Sequence, residues 1–195
     1  PYYKTPSSKK LKEKFNTYKF LSPNSFVIFP YKKVNGKVDV ILEPELRKNF
    51  PLTHSYFKYY EKEIKTRDVS PPINNDDWFK FGRSQHLDSW VADEKIVVGV
   101  LSTGEKYPID KRKTIVSSGG TAGYCIIAIP DNFDYSIYYI QAILNSKYLE
   151  WFSALYGEVF RGGYIARGTK VLKNLPIRKI DFSDTKQKAL HDKIV

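Results

Sequence analysis

The sequence is poor in the residues that build redox, metal and membrane sites. Among 195 residues there are one cysteine, no methionine and three histidines. A single cysteine excludes an internal disulfide framework and a multi-cysteine zinc site. No apolar run approaches the roughly 18 residues that a membrane-spanning helix needs. These absences favour a cytoplasmic protein with no membrane partner and no metal site of its own.

Positive charge and aromatic side chains are abundant instead. Lysine and arginine number 32 against 21 acidic residues, which leaves a net charge of +11. An aromatic share of 15% and a hydrophobic share of 42% argue against a disordered chain. A charge of this sign and size favours a polyanionic partner such as nucleic acid.

The first part of the chain predicts an arm followed by a β-hairpin. Residues 1–24 are polar and lysine-rich, which is typical of a basic arm or a connecting helix ahead of a domain over residues 25–195. Residues 25–31 and 37–43 are rich in β-branched and aromatic side chains and predict two strands. The Asn35-Gly36 dipeptide between them is a tight-turn signal, so the two strands form a hairpin.

Two helices are predicted next. The first lies between Pro44 and Pro51. The second covers residues 52–67, where apolar side chains recur every four residues and predict one buried stripe: Leu52, Tyr56, Tyr60 and Ile64.

The second half alternates short strands with helices. Strands are predicted over residues 95–102, 114–118 and 123–129, and a terminal helix over 184–195 begins at a Ser183 or Asp184 cap. Between them, Asn145-Ser146 separates two helices whose apolar faces carry Ile137, Ile140, Ile143 and Leu144, then Leu149, Phe152 and Leu155. This order favours an α+β fold: a mainly antiparallel twisted sheet or partial barrel with packed helices.

Searches for catalytic patterns identify no catalytic residue. Neither a Gly-x-Gly-x-x-Gly motif after a strand nor a Walker-type Gly-Lys-Ser/Thr loop occurs. The histidines are scattered, and Cys125 lies in an apolar strand as a packing residue. Residues 70–73, Ser-Pro-Pro-Ile, lack the polar first and aromatic last side chains of an adenine-methylating Asn/Asp-Pro-Pro-Tyr/Phe motif.

Five stretches follow one another in an order that is typical of a known family. Residues 26–68 are similar to the block "FPY…G…P…YL…L…R", and residues 78–85, WFKFGRSQ, to the block "W…YGRSQ". The other three are residues 118–124 ("GG…GY"), 138–146 ("YYLLAILNSK") and 175–177 ("LPI"). Together, over about residues 20–195, they resemble the C-terminal specificity region of type IIG restriction–modification enzymes and related adenine-specific DNA methyltransferases.

The resemblance implies a target-recognition domain, similar to those of type I specificity subunits, that binds double-stranded DNA. It implies that methylation and cleavage belong to upstream domains of a parent chain. That parent would be a site-specific adenine methyltransferase, with or without an endonuclease. Its cofactors would be S-adenosylmethionine and, optionally, magnesium. No cofactor is expected in this chain.

Three basic segments are the candidate DNA contacts, because Lys and Arg neutralise phosphates and Arg, Lys, Gln or Ser can also reach base edges. The candidates are Lys80, Arg83, Ser84 and Gln85 after the aromatic cluster; Lys106, Lys111, Arg112 and Lys113 in the densest basic loop; and Arg161, Tyr164, Arg167 and Lys170 in a glycine-rich segment. Arg83 and Gln85 are the first candidates for base contacts. For the first segment, the alternative is that Trp78, Phe79 and Phe81 are core and Arg83 caps it. For the second it is an ordinary solvated hairpin, and for the third a connecting loop whose charges only aid solubility.

Two other functions stay open. Glu63-Ile64-Lys65 fits half of a metal-dependent nuclease motif, with Asp39 the sole candidate for the preceding acid. Its alternative is a solvated helix face. The chain is also consistent with a protein-docking module in which the helical pair binds a methyltransferase subunit and the charge is incidental.

Overall fold

The structure, a computed structural model, describes residues 2–3, 25–83, 87–103, 107–116, 123–130 and 132–195. Two units make it up: Val27–Asp88, and Pro1–Phe26 together with Ser89–Val195. We call them the hairpin unit and the sheet unit. Helix and strand are mixed in both, so the predicted α+β class is confirmed. The predicted arm over residues 1–24 lies almost wholly outside the described residues.

The hairpin unit begins with two strands, β2 (Tyr31–Val34) and β3 (Lys37–Val40), which pair antiparallel. Asn35 and Gly36 both have positive φ, 50° and 83°, as a two-residue hairpin turn requires. The predicted hairpin and its turn are therefore confirmed. The first strand begins at Tyr31 rather than residue 25, because Pro30 has no N–H to donate and only its carbonyl joins the ladder, accepting from Ile41.

Three helices follow: α1 (Glu43–Asn49), α2 (Pro51–Tyr59) and α3 (Glu61–Lys65). The single helix predicted over residues 52–67 is thus broken at Tyr60. Its predicted stripe is wrong at Leu52, which is 86% exposed, and at Tyr56, which is 52% exposed, whereas Phe57 is buried. Ile64 of the same stripe does pack against the core. Packing decides the face, because the Phe57 ring stacks on Phe79 at 5.1 Å between centroids.

The aromatic segment after the proline loop forms the centre of this unit's core. Trp78 and Phe79 are buried with Leu46 and Phe57, and the Trp78 indole N–H donates to Glu43 at 2.6 Å. Trp78 and Phe79 are core residues, as one of the two interpretations of this segment required.

The described strands of the sheet unit form three small sheets in place of one large one. A helix, α4 (Leu87–Trp90), leads into it. Its main sheet has the order β6-β4-β8, from Ile109–Asp110, Lys95–Gly99 and Tyr124–Ala128, all antiparallel. A second sheet has the order β5-β10-β9, from Leu101–Ser102, Tyr164–Ala166 and Val159–Phe160. A parallel pair joins β1 (Tyr2–Tyr3) to β7 (Ile115–Val116).

Val100 explains why the strand predicted over residues 95–102 is two strands. Its N–H donates to the Gly123 carbonyl and its carbonyl accepts from the Arg167 N–H at 2.6 Å. The chain therefore leaves β4 for a different partner and continues as β5 beside β10. The described strands form no closed barrel.

Four helices complete the sheet unit: α5 (Ile137–Leu144), α6 (Lys147–Tyr156), α7 (Thr169–Leu172) and α8 (Thr185–Asp192). The α5 face is confirmed, because Ile137, Ile140 and Leu144 are buried beside Ile96 and Val98 of β4. On α6, Leu149 is buried but Leu155 is 62% exposed. The Asp184 carboxylate caps α8 as predicted, accepting from the N–H groups of Lys186 and Gln187. No helix of the described part is long and apolar enough to cross a bilayer.

Candidate nucleic-acid interface

The basic segment Lys111–Arg112–Lys113, here called the basic loop, joins β6 to β7 and is exposed. One side chain at its base fixes its conformation. The Asp110 carboxylate accepts hydrogen bonds from the Arg112 N–H at 3.0 Å, the Thr114 N–H at 2.7 Å and the Thr114 hydroxyl at 3.1 Å. The buried carboxylate thus binds the backbone in the middle of the loop, at Arg112, and just after it, at Thr114. The three cations are therefore presented on an ordered backbone.

Asp110 is itself held by a buried cation. The Lys95 ammonium of β4 lies 3.0 Å from Asp110 Oδ2, and both side chains are fully buried. Burial alone would raise the pKa of Asp110, but the Arg112 N–H and the Lys95 ammonium outweigh it and hold that pKa below its ordinary value. Burial lowers the pKa of Lys95 in turn. Sequence reasoning missed this pair; an Asp at the start of a turn was the available signal.

The cations of the basic loop are only loosely engaged. Lys111 pairs with Glu94 at 3.0 Å and lies 4.8 Å from the centre of the Tyr138 ring, whose hydroxyl it also contacts. Lys113 pairs with Asp93 at 2.5 Å. The Arg112 side chain makes no ion pair with the described residues. Exposed pairs of this kind are worth about 0–1 kcal/mol, so a phosphate can replace the carboxylate.

The glycine-rich segment forms a hairpin, with β9 and β10 joined by Arg161, Gly162 and Gly163. Phe160 pairs with Tyr164, and both glycines have positive φ, 85° and 77°. Arg161 is exposed at this turn. We call these three residues the RGG turn. Tyr164 is half-buried in β10, and Lys170 is exposed on α7.

Arg167 holds this hairpin to the rest of the unit and is only 1% exposed. Its guanidinium donates to Glu150 of α6 at 2.5 Å and to the Tyr107 hydroxyl at 3.4 Å. Sequence analysis placed Arg167 among the DNA contacts. Its guanidinium is bound inside the fold, so we do not count it among the exposed candidate DNA contacts.

Lys80, in the hairpin unit, is likewise buried. Its ammonium lies 2.7 Å from Asp77 Oδ2 and donates to the Pro72 carbonyl at 2.8 Å. Asp77 also accepts from the Asn74 N–H. Lys80 therefore fastens the proline loop to the aromatic core. We do not count it among the exposed candidate DNA contacts either.

Arg83 is exposed but engaged. One guanidinium nitrogen lies 2.6 Å from Asp68 Oδ2, and the other donates to the Gly82 carbonyl at 2.9 Å. The Asp68–Arg83 pair spans the ends of the proline loop, where the Ser70 N–H also donates to the Gly82 carbonyl. Its role in DNA contact stays a prediction. Ser84, Gln85 and Lys106 lie outside the described residues.

The residues of the nuclease hypothesis do not lie in the setting that the motif requires. Glu63 and Lys65 are on helix α3, not on a strand, and Lys65 is paired with Glu61. Within the described residues, no three His, Cys, Asp or Glu side chains form a group that could hold a metal ion. The solvated helix face is the interpretation that this placement favours.

The helical pair keeps an exposed apolar face. On α6, Tyr148 is 82% exposed and Trp151 63% exposed, and with Lys147 they line a shallow depression. This face is the surface at which the docking hypothesis would place a methyltransferase subunit. That hypothesis stays a prediction.

Comparison with known proteins supports the family that the five motifs indicate. A family model described as the TaqI-like C-terminal specificity domain matches residues 12–177. An Escherichia coli protein described as "Type II restriction enzyme and methyltransferase RM.Eco57I" is 50% identical over 197 residues. That alignment covers 100% of this chain and 20% of the relative, so the chain spans about a fifth of the relative's length. The chain belongs to the family of TaqI-like C-terminal specificity domains.

Proposed function

We propose that this chain binds double-stranded DNA sequence-specifically, as the target-recognition domain of a restriction–modification methyltransferase. The exposure of the basic loop is the observation that supports this proposal most directly. Three consecutive cations stand exposed on a backbone that the buried Asp110 holds in place. Family membership supports the same function, because a specificity domain of such enzymes is the part that selects the DNA target.

The relative's name extends the proposal to the parent enzyme. The relative is described as both a restriction enzyme and a methyltransferase. We propose that this chain positions DNA for adenine methylation and cleavage by other domains of its parent chain. S-adenosylmethionine and, where the parent cleaves, magnesium would be bound by those domains. No step of the reaction is assigned to residues of this chain.

Binding at the basic loop would follow from charge neutralisation. Each cation that contacts a phosphate releases condensed counterions, so affinity falls as salt rises. The Arg112 guanidinium is available for a phosphate, whereas Lys111 and Lys113 would first leave Glu94 and Asp93. Because those pairs are exposed, the exchange costs little.

Fluorescence anisotropy with labelled duplexes tests the proposal. The affinity of the 195-residue chain is measured at several salt concentrations from about 50 to 200 mM, where phosphate contacts dominate the slope. The variant K111A/R112A/K113A should bind more weakly, and the slope of log K against log salt should become shallower by about one for each cation removed.

A matched control separates the loop from net charge. K173A/K186A/K193A also removes three exposed lysines, none of them in the basic loop. It should leave the salt slope within about one of the wild-type value. The proposal would be overturned if no duplex bound at low salt, or if both triple variants lost affinity and slope equally.

A further inference from the structure

The RGG turn places one arginine side chain beside two residues that have none. Arg161 is exposed, and its guanidinium makes no hydrogen bond or ion pair with the described residues. Gly162 and Gly163 both have left-handed backbone conformations. The tip of the hairpin is therefore narrow, and Arg161 is the only one of its three residues with a long side chain.

The strands behind this tip are anchored on several sides. β10 pairs with β5 as well as with β9, and the Ala166 N–H donates to the Glu158 carbonyl at 2.9 Å. The ion pair of the buried Arg167 with the partly buried Glu150 fixes the end of β10 to α6. At Gly157, a β-carbon would stand 2.6 Å from the Ala166 carbonyl oxygen, so α6 and the hairpin are in close contact. The backbone that carries Arg161 is thus fixed, while its side chain is unpaired within the described residues.

This arrangement suits the edge of a guanine. At the Phe160–Tyr164 pair next to the RGG turn the sheet has only two strands. A two-stranded ribbon fits the major groove, which is about 12 Å wide. Guanine presents the acceptors O6 and N7 there, and the planar guanidinium can donate to both. We propose that Arg161 is a specificity-determining residue that reads a guanine in the major groove. The inference rests on the proposed DNA-binding function and deepens it.

Other arginines of the described chain are less suited to this role. Arg167 is buried, and Arg83 is paired with Asp68. Arg67 donates to the carbonyls of Ile64 and Lys80. Arg112 lies between two lysines in the basic loop, which suits phosphates. Arg47 on α1 and Arg178 after α7 are exposed as well, but neither lies beside a glycine. Arg161 is therefore the described arginine that combines an exposed guanidinium, no ion pair within the described residues and a glycine-lined tip.

Selection from a pool of duplexes with a randomised central segment tests the inference. The 195-residue chain and its variants R161K and R161A are each used to select bound duplexes, which are then sequenced. Lysine keeps the charge but loses the two-pronged donor. The wild-type chain should select a sequence containing a guanine whose replacement weakens binding about tenfold or more. In R161K, that one position should become degenerate while the others keep their preference and the salt slope is unchanged.

A modified base supplies the second measurement. Replacing the selected guanine by 7-deazaguanine removes N7 alone, and it should weaken wild-type binding while leaving R161K unaffected. If R161K and R161A select the same guanine as the wild-type chain, Arg161 does not read it and the inference fails while DNA binding stands. If the wild-type chain binds duplexes no more tightly than K111A/R112A/K113A does, the proposed function is contradicted, and this inference fails with it.

Discussion

Asp110 accepts two hydrogen bonds from Thr114, one from the backbone N–H at 2.7 Å and one from the hydroxyl at 3.1 Å, while the Lys95 ammonium lies 3.0 Å from the same carboxylate. Asp110→Ala should therefore cost about 3–5 kcal/mol of unfolding free energy, because it leaves a buried ammonium unpaired. Urea denaturation of the 195-residue chain measures the loss. Glu94→Ala breaks the exposed pair with Lys111 and should cost at most about 1 kcal/mol.

The double variant K95M/D110L tests whether the charge is the cause. Replacing both members of a buried pair by apolar side chains is often neutral or stabilising. It should therefore be clearly more stable than Asp110→Ala. Equal loss in the two variants would mean that the turn hydrogen bonds, and not the unpaired ammonium, account for the cost.

Acid should weaken the sheet unit through the same carboxylate. The pKa of Asp110 in the folded chain lies below its ordinary value of 3.8, so near that pH the unfolded chain binds the proton more tightly. The stability that Asp110 contributes is present above pH 3.8 and is lost as the pH falls through the lower folded value. Urea midpoints of the wild-type chain should fall over this range more steeply than those of K95M/D110L. Parallel curves would contradict the assignment.

Gly157 has no room for a side chain. A β-carbon there would stand 2.5 Å from Ile165 Cγ2, 2.6 Å from the Ala166 carbonyl oxygen and 2.8 Å from the Ser153 carbonyl oxygen. Two of these three are backbone atoms, so Gly157→Ala should destabilise the fold by about 1–3 kcal/mol or displace the hairpin.

Gly168→Ala is the matched control for that substitution, because its β-carbon would meet Val100 at an ordinary 3.8 Å. Both variants are compared by urea denaturation, and hydrogen exchange of the Ala166 amide reports on the hairpin itself. Equal midpoints and equal exchange would show that the contact at Gly157 relaxes without cost.

Lys113 occupies a left-handed conformation, with φ of 52°. Lys113→Gly and Lys113→Ala remove the same charge, but only glycine relieves the steric cost of that conformation. The glycine variant should therefore be about 1 kcal/mol more stable than the alanine variant. On the proposed function, both should weaken DNA binding by the same factor. A difference in affinity without a difference in stability would show that loop shape, not charge, governs the contact.

Helix α2 offers a direct test of which face is buried. Phe57→Ala should cost about 3–5 kcal/mol, because Phe57 packs between Trp78 and Phe79. Leu52→Ala should change stability by less than about 0.5 kcal/mol, since Leu52 is 86% exposed. Urea denaturation of the 195-residue chain measures both losses. Equal costs for the two substitutions would contradict the assignment of the buried face.

Local sequence rules were sufficient where neighbouring residues decide the conformation. Asn35-Gly36 predicted a hairpin turn, because few other residues tolerate positive φ at both positions. Asp184 predicted the start of α8, because its carboxylate reaches N–H groups only two and three residues away. The ordered motifs also predicted the family, which the comparisons confirm.

Contacts between distant residues decided the rest. Periodicity could not show which face of residues 52–65 is buried, because Phe57 turns inward only in response to the aromatic segment some twenty residues later. Nor could charge alone separate the lysines and arginines. Lys80 and Arg167 end in buried pairs with Asp77 and Glu150, whereas Arg112 and Arg161 stay exposed. Composition determined that this protein is basic, and tertiary packing decided which of its cations remain available to a partner, because only folding brings an acidic residue within reach of some of them.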